Sequence, residues 1–252
     1  MLTMHDHGVE DYEVLRDMDA TDVGDLRDDD RACLDELGQY LVATDAWHRF
    51  GIWLLHKHFE PEPGEVFVER TTRDPRGTET GPVMRSAFSD QGLSTTAIRF
   101  DDSIGSGVGV IGMEFAQPDD FGDTEPLSDE DAQVLAGIAE RLRGHDKIER
   151  FGVRLIRNPL ELSDDELLHE TTDTAGRAMY CTVGQRDEVL ADRSITQTAW
   201  KWRVVHGGPE TIVMQDCTAG CVRVGEGHDI AHTASGTDDF DNPTEGEPNQ
   251  PF

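Results

Sequence analysis

One stretch of this chain is written twice. Arg49-Phe50-Gly51-Ile52-Trp53-Leu54-Leu55 returns 101 residues later as Arg150-Phe151-Gly152-Val153-Arg154-Leu155-Ile156. The same offset relates Glu60 to Glu161, Glu65 to Glu166, Glu69 to Glu170, Thr71 to Thr172 and Arg76 to Arg177, and upstream Leu34 to Leu135, Leu41 to Leu142 and Asp45 to Asp146. A period this long constrains architecture before any local pattern does. Past a one-residue slip, Thr96-Ala97-Ile98-Arg99-Phe100 matches Thr198-Ala199-Trp200-Lys201-Trp202. The expectation is an α+β protein built from an internally duplicated unit, each copy one helix plus a mostly antiparallel sheet of about four strands.

The divisions that follow are an acidic N-terminal arm at 1–27, a first unit at 28–115, a linker at 116–127, a second unit with a Cys/His extension at 128–233, and a disordered acidic tail at 234–252. In the first unit, Asp28–Asp30 supply first-turn acids for a helix to about Ala43, with Leu34, Leu37 and Leu41 on one face. Phe50–Phe59, the turn Pro61-Glu62-Pro63-Gly64 and Glu65–Thr71 predict a hairpin. Residues 73–82, rich in Gly, Pro and Thr, predict a loop, and Thr95–Phe100 and Val108–Phe115 two further strands. In the second, Ser128 is an N-cap with an acid three residues on, the helix runs to about Arg143, and strands follow at Gly152–Arg157 and Glu166–Thr172. Phe50, Leu54, Ile138, Phe151 and Leu155 join the helix leucines as the expected core.

Charge bears on partners. The 52 acidic residues outnumber the 22 basic ones, for a net charge of −30, and only Lys57, Lys147 and Lys201 are lysines. This Asp-rich, Lys-poor composition resembles that of proteins from organisms holding molar salt in the cytoplasm, where the Debye length is about 3 Å. The acidity argues against nucleic acid as a partner, and no apolar run reaches membrane-spanning length. A cytoplasmic protein is expected, with reduced thiols, its partners unidentified beyond a protein partner or a second copy.

A function present once belongs where the two copies differ. The largest difference is Cys217, Cys221, His228 and His232, spaced C-x3-C-x6-H-x3-H. Two thiolates on a Gly-containing turn and two imidazoles one helical turn apart suit tetrahedral zinc. The alternatives are a small apolar core residue at Cys217 with the histidines in a mobile tail, or a redox pair. The second difference is His56-Lys57-His58, opposite Arg157-Asn158-Pro159. On a strand His56 and His58 point the same way and could meet one ion, with His48, His5 and His7 as further ligands. The leading expectation is a binding or regulatory protein with a zinc site; the competing ones are a metal-dependent enzyme with His56 and His58 between the repeats, and a metal-free interaction module.

Gly107 to Gly112 fits G-x-G-x-x-G, but the residues around it read as strand, whereas a dinucleotide loop must open a helix. Trp53, Trp200 and Trp202 read as core, and Gly51 and Gly152 as sites of close backbone approach.

Overall fold

The computed structural model describes residues 1–17, 26–88, 92–101, 107–122, 124–191, 195–205, 208–224 and 227–232; for 195, 205, 208, 213, 215–224 and 227–232 it describes the backbone alone. In chain order the elements are β1 (Leu2–Asp6), α1 (Val9–Glu13), α2 (Asp28–Ala43), β2 (Phe50–Leu54), β3 (Glu65–Arg73), β4 (Arg76–Met84), β5 (Ser94–Asp101), β6 (Val108–Ala116), α3 (Pro118–Phe121), α4 (Ala132–Gly144), β7 (Phe151–Leu155), β8 (Glu166–Asp173), β9 (Ala178–Gln185), α5 (Arg186–Leu190), β10 (Ile195–Val205), β11 (Gly208–Val224) and β12 (Gly227–His232). The content is α+β, as expected, and no described helix is long and apolar enough to cross a membrane.

Both long helices begin and end by the same chemistry. An acid at the third position caps the start: the Asp30 carboxylate accepts from the Arg27 amide at 3.0 Å, and Asp131, leading into α4, accepts from the Ser128 amide at 2.9 Å. At the far ends Asp45 and Asp146 take φ of 55° and 58°, and the chain turns so that Ala46 and Lys147 donate back to Leu41 and Leu142 at 2.8 and 2.7 Å. In between, Leu34, Leu37 and Leu41 of α2 and Leu135, Ile138 and Leu142 of α4 are buried. They pack on Phe50, Ile52, Leu54, Phe151, Val153, Leu155, Trp200 and Trp202, so the expected core is the observed one.

The strands close into a circuit. β2 pairs antiparallel with β7, centred on Ile52 opposite Val153. From there β7 pairs with β5, β5 with β6, β6 with β3 and β3 with β4; β4 pairs with β9, then β8, β11 and β10 lead back to β2. The register maps onto itself under an offset of 101 residues, or 102 where Ile98 corresponds to Trp200. Phe50 faces Leu155 and Leu54 faces Phe151; Ile98 faces Val153 as Trp200 faces Ile52; Phe67 faces Glu114 as Leu168 faces Gln215.

Charge crosses between the halves in the same way. Arg49 grips Asp131 in bidentate fashion, Nε at 2.5 Å and Nη2 at 2.7 Å, while Arg150 donates from Nε to Asp30 at 2.9 Å. Each capping acid therefore also holds the arginine that opens the other half's first strand, which makes the arginines inter-half anchors. The glycines act as expected: Gly51 lies opposite Arg154 and Gly152 opposite Trp53. A Cβ on Gly152 would come within 2.3 Å of both the Ile98 carbonyl oxygen and the Trp53 indole nitrogen.

Several expectations are corrected. Phe50–Phe59 does not form a hairpin with Glu65–Thr71: β2 ends at Leu54 and pairs with β7 and β10. Residues 73–82 are not a loop, because β4 starts at Arg76 and forms the hairpin with β3; its buried Thr78 and Thr80 alternate with Glu79, a strand pattern written in polar residues. With β4 and β9 each half supplies five strands to the circuit, and β3–β6 and β8–β11 are parallel. The N-terminal arm is built in: β1 runs parallel to β6, and Tyr12 and Leu15 are buried beside Trp53, Leu55 and Phe67. The linker carries α3, whose Phe121 is buried. Residues 107–112 lead into and form β6, opening no helix.

Candidate functional site

Side chains alternate across a strand, so the face turned away from α2 and α4 carries Trp53, Ala97, Ile111, Ala199 and, unusually, charge. Glu69, Glu114, Arg154 and Glu170 are all buried there, between 3% and 8% exposed. Buried charges are tolerated when they are paired and hydrogen-bonded. Glu69 accepts from Arg154 Nη2 at 3.0 Å and from Arg157 Nη2 at 2.6 Å. Burial pushes the Glu69 carboxyl up, but Arg157 and Arg154 outweigh it and hold it below the usual range. Glu114 lies 3.0 Å from Arg154 Nη2; there burial prevails, helped by Glu69 and Glu170, and its carboxyl is raised.

Glu170 is Glu69 one offset later, with different company. Where Glu69 has Arg157, Glu170 has the segment of His56; where Glu69 has Arg154, the other half has Trp53, whose indole donates to the Ile98 carbonyl at 3.1 Å. Glu170 accepts from His58 Nε2 at 2.8 Å, and Cys181 Sγ lies 4.0 Å from it. His56, His58 and Glu170 each offer a ligand atom, all within 4.8 Å of one another. This group could hold a metal ion.

The histidines reach one point by a route other than the expected one. They lie past the end of β2, not on it. The segment is held by the N-terminal arm, through Lys57 N donating to the Arg16 carbonyl at 3.0 Å and a bridge between Asp17 and Lys57. His56 Nδ1 donates to the Leu54 carbonyl at 2.8 Å, so the neutral ring keeps its lone pair on Nε2. Burial first, then the neighbouring His58, pushes His56 down to about 4. A neutral imidazole oriented by a carbonyl is the state in which histidine ligates metal. The two rings lie 5.0 Å apart, nearly perpendicular.

These residues line a cavity with Tyr12, Trp53, Phe59, Phe67, Glu114 and Arg154. Its open core is about 20 Å³, close to the least that admits a water molecule.

The other histidine candidates do not join. His5 lies 3.4 Å from Asp101, His48 is on the surface near Asp45, and His7 is buried against Tyr12 and Phe67. For Cys217, Cys221, His228 and His232 the side chains lie outside the described residues. Their backbone differs from expectation: residues 217–221 continue as strand, and Cys221 pairs with Ile230 in a hairpin with β12, because the following residues supply a pairing edge that removes the need to turn at Gly220. The tail at 234–252 also lies outside the described residues.

Glu170, Glu114 and Arg154 were missed. Glu69 and Glu170 match under the 101-residue offset and so read as fold, each being one of several polar residues in its strand. Arg154 stands where its counterpart is Trp53, a difference as plain as that at His56. Comparisons with protein-family models, curated proteins and solved structures find no match for this chain.

Proposed function

We propose that this chain is an internally duplicated α+β protein holding one divalent metal ion, zinc first, on His56, His58 and Glu170. Two imidazoles and one carboxylate are a donor set of catalytic metal sites, in which a further position stays open for water. The single observation that carries the proposal is the convergence of those three side chains in a cavity with room for about one water molecule. Such a centre acts by lowering the pKa of its bound water. Glu114, raised by burial and lining the same cavity, is the group placed to carry a proton. The open core leaves room for that water and no larger guest, so a substrate would have to reach the ion from the cavity's mouth; the reaction class this donor set suits is metal-assisted hydrolysis or hydration. The duplication is supported by the self-mapping strand register and the crossed Arg49–Asp131 and Arg150–Asp30 pairs.

The test is metal content after zinc loading and dialysis, with thermal unfolding as the second readout. Wild-type protein should retain one equivalent and gain stability; at a free concentration of 100 times Kd that gain is about 2.7 kcal/mol. His58→Ala and Glu170→Gln should lose both. A Cys217→Ser/Cys221→Ser double variant should keep them. Retention that follows the cysteines, or no retention in the wild type, would refute the assignment.

A further inference from the structure

The offset that relates the halves also relates two cavities. The second, about 250 Å³, has Arg157, Asn158 and Pro159 where the first has His56, Lys57 and His58, with Glu69 for Glu170 and Leu168 for Phe67. Its chemistry is the reverse. In a chain of net charge −30, four cations line it, Arg154, Arg157, Arg186 and Lys201, against the carboxylates of Glu69 and Glu166. Glu69 is shared by Arg154 and Arg157. Arg157 gives its Nη1 to the Asp120 carbonyl at 2.9 Å, yet its Nε is buried with no hydrogen-bond partner, on a side chain only 5% exposed. A buried donor left unmade is costly. Arg186 is held by the backbone carbonyls of Asp164 and Glu166 at 3.0 and 2.9 Å. Lys201 has no hydrogen-bond or ion-pair partner among the described residues. Burial pushes its ammonium below the usual range, against the opposing field of Asp164. Leu160, Leu162 and Met214 supply an apolar wall.

We propose that this cavity binds a small organic anion, its carboxylate received by Lys201 within the positive field of Arg154, Arg157 and Arg186, and its hydrocarbon part lying on Leu160, Leu162 and Met214. An anion there would give Lys201 a partner, and the volume limits the guest to a small metabolite. The site needs no metal, so its test is independent of the metal centre.

The experiment is calorimetric titration of the full chain with hexanoate and, separately, inorganic phosphate, at constant ionic strength and with a chelator present. Hexanoate should bind saturably at one site, and Lys201→Met should weaken it at least about tenfold, or 1.4 kcal/mol. That variant leaves the Glu69 pairs intact, and urea unfolding reports its folding. Phosphate should bind more weakly, having no part for the apolar wall. Absence of hexanoate binding, equal binding by folded Lys201→Met, or phosphate binding as tight as hexanoate would each overturn the proposal.

Discussion

His56 makes the stability of the metal-free protein fall in acid by a calculable amount. Unfolded, its pKa is 6.5; folded, burial and His58 hold it near 4. Folding therefore favours the neutral ring. The stability this contributes is fully present above pH 6.5 and is lost as pH falls towards 4. The difference corresponds to roughly 3 kcal/mol. Other groups around the ring titrate too. Glu69, held low by its arginines, loses stability in the same direction but at lower pH. Glu114, raised by burial, recovers stability as pH falls. Arg154 stays charged throughout, and Glu170 and His58 face the ring directly.

His56→Gln isolates the one term. The amide can still donate to the Leu54 carbonyl but takes up no proton, and every other group remains. Urea unfolding from pH 7 to pH 4, in chelator and constant salt, should show the wild type losing about 3 kcal/mol more than the variant. Histidine ring resonances should show one imidazole still neutral at pH 5. Parallel stability curves, or a His56 midpoint near 6.5, would refute the claim that this ring is buried neutral beside His58.

Leu54→Ala and Leu155→Ala should each cost about 2–5 kcal/mol in chemical denaturation, because both side chains are buried between the helices and the sheet. Arg49→Ala should cost roughly 3 kcal/mol by the same assay, because it leaves Asp131 buried without its one ion-pair partner among the described residues. Arg150→Ala should cost less, since Lys147 Nζ remains 2.8 Å from Asp30. Gly152→Ala should expel the Trp53 indole from its contact with the Ile98 carbonyl, read as an altered tryptophan emission spectrum; an unchanged spectrum would mean that no such contact exists.

How much was legible follows from what repetition records. Apolar periodicity located the helices, the cores of β2 and β7, and the expected buried residues, because burial leaves a pattern within one segment. Pairing between segments leaves none. Nothing local says that Phe50–Leu54 pairs with Phe151–Leu155 and not with Glu65–Thr71. β4 was hidden because its buried face is Thr78 and Thr80, flanked by the glycines and proline that usually mark loops. At the site, the two histidines were found because they differ from their counterparts, and Glu170 was overlooked because it matches Glu69.

That match explains why the site sits where it does. A buried carboxylate at one register position of β3 and again of β8 poses the same electrostatic problem twice. The first is neutralised permanently, by two guanidinium groups that do not deprotonate. The second lies beside imidazoles, one of which burial keeps neutral, and within the field of Arg154. A dication at His56, His58 and Glu170 would stand to Glu170 as Arg154 and Arg157 stand to Glu69, and Trp53 and Arg154 hold matching positions on β2 and β7. Replacing His56 with Arg, as at the matching position of the other half, should then remove the stability gained from zinc without a loss of stability as large as that caused by His56→Ala. Thermal unfolding with and without zinc separates the outcomes. A His56→Arg protein that still gains stability from zinc, or that unfolds as easily as His56→Ala, would show that the two acids are not equivalent positions answered in two ways.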